Sequence, residues 1–234
     1  MKILAVSDKK SVFLENYITS SLKAGMEFDF IISCGDLSPR YLMMLADSTN
    51  QIIYYVNGNH NAEESYNCLH GQCAPFSGNA LPGGIDLSIK PVIEKKYILC
   101  GFPGSMRYNN EPFQYSESEM KKKTSRMLRK IRMIRILEKL KKQTGRPLIV
   151  VSHAPPFNLG DGQDIPHRGF ACFQSFIEKT KPLLWLHGHT HLSSFAEIRT
   201  ESCGGTKIVN VYEFKTIEIS PEGNIQINYV LGEK

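Results

Sequence analysis

Six residues able to ligate a metal stand in one recurring context along this 234-residue chain, each just beyond a run of aliphatic residues. They are Asp8, Asp36, Asn59, His153, His189 and His191, set in the runs Ser7-Asp8, Gly35-Asp36, Gly58-Asn59-His60, Ser152-His153 and Gly188-His189-Thr190-His191. Two carboxylates, one amide and three imidazoles form the mixed oxygen and nitrogen donor set that divalent transition metals take. A lone His or Asp at the end of a strand is ordinary, because it caps a turn or satisfies a loop. Five such loops in series ask for a common explanation, and metal-assisted chemistry supplies one. Glycine precedes the ligands at positions 35, 58 and 188, where it lets the backbone turn off a strand without a Cβ clash. His189 and His191, two apart, point the same way if that segment is extended.

The elements needed to position them are legible as alternating strands and helices. Lys2–Val6 is aliphatic throughout, as a strand buried on both faces should be. Ser11 caps a helix carrying Val12, Leu14, Ile18 and Leu22 and ending near Gly25. A second strand, Phe30–Cys34, leads to Ser38-Pro39, an N-cap followed by proline at the first helical position, with a short helix through Leu45. Gln51–Val56 is the third strand. The segment from Asn61 to Gly84 reads as loop, Ile85–Phe102 as short strands around a charged turn at Glu94-Lys95-Lys96, and Pro103–Glu117 as a polar and aromatic loop. Ser116 and Glu119 form a capping box for a long helix ending near Gly145. Arg146–Ser152 is a further strand, 170–180 a helix and Pro182–Leu186 a strand. Beyond Ser194 come short β segments at Lys207–Val211, Lys215–Ile219 and Ile225–Val230, separated by turns at Gly204-Gly205 and Pro221–Asn224. This is the pattern of an α/β sheet whose ligands gather at the carboxyl ends of its strands. No linker or internal repeat interrupts it, so a single domain over 1–234 is expected.

In this order, Asp8, Gly35-Asp36, Gly58-Asn59-His60, His153 and Gly188-His189-Thr190-His191 resemble the motifs of the calcineurin-like metallophosphoesterase superfamily, in a pattern that spans most of the chain. The resemblance implies a four-layer α/β/β/α sandwich and a phosphoesterase with one or two divalent ions, Mn²⁺, Fe or Zn²⁺. Asp36 would bridge two ions, Asp8 and His191 would hold the first, and Asn59, His153 and His189 the second. Asp36 and His60 are the implied catalytic pair, with His60 near the leaving group. Two metals about 3.5–4 Å apart can hold an attacking oxygen and a phosphoryl oxygen together while offsetting charge that builds on phosphorus.

The chain departs from that pattern at Lys10, which stands where the first motif normally carries a histidine. An ammonium cannot ligate, and a cation beside a metal weakens its binding. The first ion is therefore expected to bind weakly, unless the Lys10 ammonium itself stands in for part of it and contacts phosphate. Asn61 replaces a common acid, and Gly35–Pro39 lacks the second Asp that partners the motif histidine in many phosphatases. Two loops, 101–117 and 160–169, resemble segments of bacterial members of the superfamily. From them Arg107, His167 and Arg168 join Lys10 as candidate contacts to the phosphate ester. The expected activity is hydrolysis of a phosphomonoester or, in preference, a phosphodiester, with a catalytically reduced scaffold binding a protein or nucleic-acid partner as the alternative.

Composition narrows the remaining classes. The formal net charge of +5 is regional, because 120–146 carries twelve Lys/Arg against one acid, Glu138. Met127, Ile131, Ile134 and Leu137, with Leu128 and Leu140 beside them, give that helix an apolar stripe under a basic face. A polyanion contact through 121–142 is a candidate function, although no aromatic residue along it offers a base-stacking surface. No apolar run reaches the ~20 residues that span a bilayer, so stable membrane association is not expected. The sequence MKILAVSD meets Asp8 before any signal-peptide core develops, which points to the cytoplasm and to reduced thiols among the six cysteines. Cys68, His70 and Cys73 form half a zinc site without a second pair at suitable spacing.

Overall fold

The structure, a computed structural model, describes residues 1–19, 28–60 and 81–229. The Cys68–His70–Cys73 cluster, the end of the first helix toward Gly25, most of the loop from Asn61 and the last residue of the final expected strand lie outside the described residues. Within them the order is β1 (Lys2–Ser7), α1 (Val12–Thr19), β2 (Phe30–Ser33), α2 (Pro39–Thr49), β3 (Ile53–Tyr55), β4 (Ile85–Asp86), β5 (Val92–Glu94), β6 (Tyr97–Phe102), β7 (Ser105–Met106), β8 (Gln114–Tyr115), α3 (Glu117–Leu140), β9 (Leu148–Ser152), α4 (Ala171–Thr180), β10 (Leu184–His187), β11 (Thr200–Cys203), β12 (Thr206–Asn210), β13 (Glu213–Ile219) and β14 (Ile225–Asn228).

The strands make two six-stranded sheets rather than one, ordered β14-β13-β1-β2-β3-β4 and β11-β12-β10-β9-β6-β5. In the first, β1 to β4 are parallel, and β13 closes antiparallel on β1. In the second, β12, β10, β9 and β6 are parallel, with antiparallel β11 and β5 at the edges. Two-residue periodicity sorts each strand between two cores. Ile3, Ala5, Ile32, Leu99, Val151 and Leu186 fill the space between the sheets. Their neighbours Leu4, Val6 and Ile31 turn outward to meet Leu14 and Ile18 of α1 and Leu42 and Leu45 of α2. On the other side, Ile98, Val150 and Trp185 meet Met127 and Ile131 of α3 and Phe173 and Phe176 of α4. Helix, sheet, sheet, helix is the resulting order. A strand covered on both faces has no polar side to show, so its sequence says that it is buried and not in which sheet.

Local capping follows the sequence closely. Ser38 accepts the Tyr41 N–H ahead of Pro39, and Ser116 and Glu119 make the reciprocal capping box of α3. The expected apolar stripe of α3 holds only in part. Met127 and Ile131 are buried, but Leu137 and Leu140 are 51% and 75% exposed, because the helix continues past the sheet it packs on. Glu138, the helix's lone late acid, is buried instead and bonded by Arg135 and Arg146. The loop expected over 103–117 contains a short parallel pairing of β7 with β8. Among the described residues no helix is long and apolar enough to cross a membrane.

Candidate metal centre

β1, β2 and β3 of one sheet and β9 and β10 of the other end at the same rim, so the five ligand-bearing loops converge from two sheets. Carboxylate or imidazole atoms of Asp36, His153 and His189 lie within 4.8 Å of one another. His153 Nε2 is 3.2 Å from Asp36 Oδ2 and 2.9 Å from Asn59 Oδ1. Three donors thus gather at one point with the Asn59 amide oxygen against His153, and all four side chains are largely buried.

The ring orientations are set from behind by backbone carbonyls. A carbonyl only accepts, so His153 Nδ1 carries a proton donated to the Cys34 carbonyl at 2.8 Å, and Nε2 faces the centre. His189 Nε2 donates likewise to the Pro166 carbonyl at 2.7 Å, which leaves Nδ1 with its lone pair toward the other donors. This is the support that ligating histidines usually receive. Asp36 is anchored by the His60 N–H on Oδ1 at 2.8 Å. Asn59 Nδ2 donates to the Tyr108 hydroxyl at 3.2 Å, turning the amide oxygen inward.

The turns that present these groups are conformationally costly. Asp8, Asp36 and His189 have φ of +64°, +55° and +66°, each worth about 1–2 kcal/mol of strain for a residue with a Cβ. Strain of that kind persists where surrounding structure enforces it. Gly35, with φ +104°, fills the expected role of a sharp turn. Gly58 does a different job: a Cβ there would stand 2.0 Å from Asp36 Oδ1, so it provides room, not rotation. Gly188 likewise leaves space for Ser7 and Asp8. The segment after it is not extended, and His189 and His191 diverge instead of pointing together.

Charges in the cluster are interdependent. Burial works against ionised His153, but the Asp36 charge and hydrogen bond, with Asp8, outweigh it and raise its pKa to about 9. Burial also opposes the Asp36 carboxylate, yet His153 and the His60 contacts bring it down to about 2. His189 is pushed down to about 3 by burial and then by the neighbouring His153 cation. The Asp8 carboxyl is raised, chiefly by burial. Without metal, an imidazolium supplies the positive charge between the two carboxylates.

Asp8, Lys10 and His191 are arranged differently. Both Asp8 oxygens accept the His189 N–H, at 2.9 and 3.1 Å. His191 Nε2 is 3.9 Å from Asp8 Oδ1, its side chain is 64% exposed, and its ring lies against Tyr212. Lys10 is exposed and makes no hydrogen bond or ion pair among the described residues. His60 is exposed beside Asp36. Of the loop candidates, His167 is nearest the cluster: its ring is 5.0 Å from that of His189, and Nδ1 is held by Asp164 at 2.7 Å. Arg107 is turned to Glu119 at 2.8 Å, and Arg168 is exposed.

Several contributors were not foreseen from the sequence. The Cys34 and Pro166 carbonyls have no side-chain signature. Tyr108 lies in one of the two loops singled out above but has no residue-level signal, and Tyr212 has none either. Asn210, whose Nδ2 donates to the Thr190 carbonyl at 2.7 Å, closes a sixth strand end at the same rim. The signal that could have found it is a polar residue at the end of the apolar run of β12.

The sequence matches the calcineurin-like phosphoesterase family over residues 1–193. The chain belongs to that family. Its fold is shared with the protein TT1561 of Thermus thermophilus, at TM-score 0.58 and 16% identity, covering 98% of this chain and 99% of that one. A dimetal phosphatase from Danio rerio aligns at TM-score 0.51 and 10% identity over the same shares. No curated protein matches the sequence.

Proposed function

We propose that this metallophosphoesterase is a phosphodiesterase that works with one firmly held divalent ion and, at most, a weakly held second one. The carrying observation is the convergence of Asp36, Asn59, His153 and His189, with both imidazoles pre-set by backbone carbonyls. The donor set fits a transition ion of the Mn²⁺, Fe or Zn²⁺ kind. The Thr190 hydroxyl between the two motif histidines is buried without a hydrogen-bond partner among the described residues, which also fits a centre shaped for a further group. When bound, such an ion supplies Lewis-acid activation of water and of a phosphoryl oxygen.

The chain's own residues do the rest. Asp36, whose charge also acts on Asp8, is the residue we assign to link the two halves. Asp8 fixes the turn at His189, which places the fourth ligand. To His60, exposed and bonded through its N–H to Asp36, we assign the contact with the leaving-group oxygen. His167, held by Asp164 against His189, lines the approach and is the best-placed contact for the ester, with Lys10, Arg107 and Arg168 contributing positive charge farther out. A diester carries one negative charge and a monoester up to two, so a site with one complete ion position suits the diester.

Lys10 and the open placement of His191 support a second reading, a family member with reduced catalysis that binds a partner. Hydrolysis of a chromogenic phosphodiester by chelator-stripped protein, with Mn²⁺ restored and Asp36→Asn as control, decides between them. Metal-restored turnover that the variant loses is expected. Absence of turnover on diesters and monoesters alike, with metal still bound, favours the scaffold.

A further inference from the structure

Away from the metal centre, a cavity of about 490 Å³ lies between α3 and the connection from β4 into β6, a size typical of small-molecule sites. Lys123, Arg126, Arg129 and Lys130 line it from the helix, and among the described residues no Asp or Glu lines it from any side. We propose that this cavity binds a small organic polyanion carrying two or more linked phosphoryl groups.

Helical spacing places these cations together. Positions 123, 126 and 130 fall on one face and spread over about 10 Å of the axis, at 1.5 Å per residue. One orthophosphate cannot reach that whole row, whereas a diphosphate or triphosphate can. Two of the cations are held in place before any ligand arrives. The Lys130 ammonium donates to the Ile89 carbonyl at 2.6 Å. Half-buried Lys123 lies 4.6 Å over the Tyr115 ring. Burial first, and the charge of Arg126 second, push its pKa down, with Asp86 and Glu119 pulling the other way.

What distinguishes the cavity is that four cations line it together with no carboxylate among its described lining residues. Arg107, Arg135 and Arg146 each have a carboxylate partner. Arg126 and Arg129 have none among the described residues, as is also true of Arg40, Arg132, Arg168 and Arg199, but only these two share one cavity with two lysines. Like charges at three- and four-residue spacing oppose helix formation, and a bound polyanion turns that repulsion into attraction. Arginine also suits phosphoryl oxygens through its planar fork of donors. Ile89 and Met133, both exposed, give the cavity an apolar edge on which the non-phosphate part of the ligand can rest. A nucleic-acid strand fits less well, since α3 offers no aromatic ring for stacking and Phe102 is buried.

The test is calorimetric titration of the full chain with ADP, pyrophosphate and orthophosphate, under excess chelator so that the metal centre cannot contribute. ADP and pyrophosphate are expected to bind, orthophosphate at least tenfold more weakly. Arg126→Ala/Arg129→Ala should weaken ADP at least tenfold, and Asp36→Asn should leave it unchanged. Both arginines are exposed, so thermal unfolding of the double variant should match the parent; should it not, Arg126→Gln alone serves with the same criterion. Equal binding of orthophosphate and ADP, loss of binding in Asp36→Asn, or no loss in the arginine variants would each overturn the site. So would a single-stranded RNA that displaces ADP and binds more tightly than it.

Discussion

The two halves of the proposed metal centre differ in how completely they are built. Around Asp36, Asn59, His153 and His189 every donor is buried, and each is held by a second contact: the His60 N–H, the Tyr108 hydroxyl and the Cys34 and Pro166 carbonyls. Around Asp8, Lys10 and His191 one backbone N–H spans both carboxylate oxygens, the histidine is mostly in solvent, and the lysine has no polar partner among the described residues. Such support commonly changes metal affinity 10–100-fold. The two positions should therefore bind metal as two different sites, although their ligands leave the same rim of the same sheets.

The largest effect that could break this contrast comes from removing one carboxylate at a time. Asp36→Asn should lower affinity for the first Mn²⁺ equivalent by about 100-fold or more, because it takes away the only charged group among the proposed ligands of the complete half. Asp8→Asn should cost less than about tenfold, since the amide oxygen can still accept the His189 N–H. Equilibrium dialysis of both variants measures the difference, and equal losses would show that the halves act as one.

A second effect, about tenfold per pH unit, follows from His153. Its metal-free pKa of about 9 lies above the unfolded value of 6.5. The ion pair with Asp36 therefore stabilises the metal-free fold fully below pH 6.5 and fades as pH rises through 9. Asp36, held at about 2, gives stability present above pH 3.8 and lost as pH falls through 2. A metal at the complete half must displace the Nε2 proton of His153, so its affinity should climb from pH 6.5 to 9, with close to one proton released at pH 7. Titration calorimetry in buffers of unlike ionisation enthalpy counts that proton. A count near zero would mean that His153 is already neutral, and the charge balance described above would be wrong.

What the sequence disclosed and what it withheld divide along the same line. Side chains with unusual chemistry at the ends of apolar runs were readable, and the structure gathers Asp8, Asp36, Asn59, His153, His189 and His191 at one rim. The partition into two sheets was not readable from the strands, because Ile3, Ala5, Val151 and Leu186 are equally apolar whichever layer they fill. It came from the family resemblance. Two-residue strands such as β4 and β7 exist only through their partners, with no local pattern to announce them. Leu137 and Leu140 continue the helical spacing of Met127 and Ile131, and only the extent of the sheet below decides that they are exposed. The carbonyls of Cys34 and Pro166 leave no trace in residue chemistry, yet they separate the complete half from the incomplete one.

The smallest expected effect is the most specific to this chain. Lys10→His restores the donor that the family pattern places beside Asp8. Since Lys10 is exposed and partnerless among the described residues, the exchange should cost within about 0.5 kcal/mol of stability. Second-equivalent Mn²⁺ binding should tighten, while the first equivalent keeps its affinity. The gain should be modest, near tenfold, because the new imidazole adds a ligand and removes a repelling ammonium without burying His191 or freeing the Asp8 oxygens from the His189 N–H. Metal stoichiometry by dialysis against graded Mn²⁺ reads the change directly. A larger gain would mean that the ammonium alone kept the second ion out. No gain would locate the weakness in the exposed His191 and the committed Asp8 carboxylate, and leave position 10 free to contact phosphate.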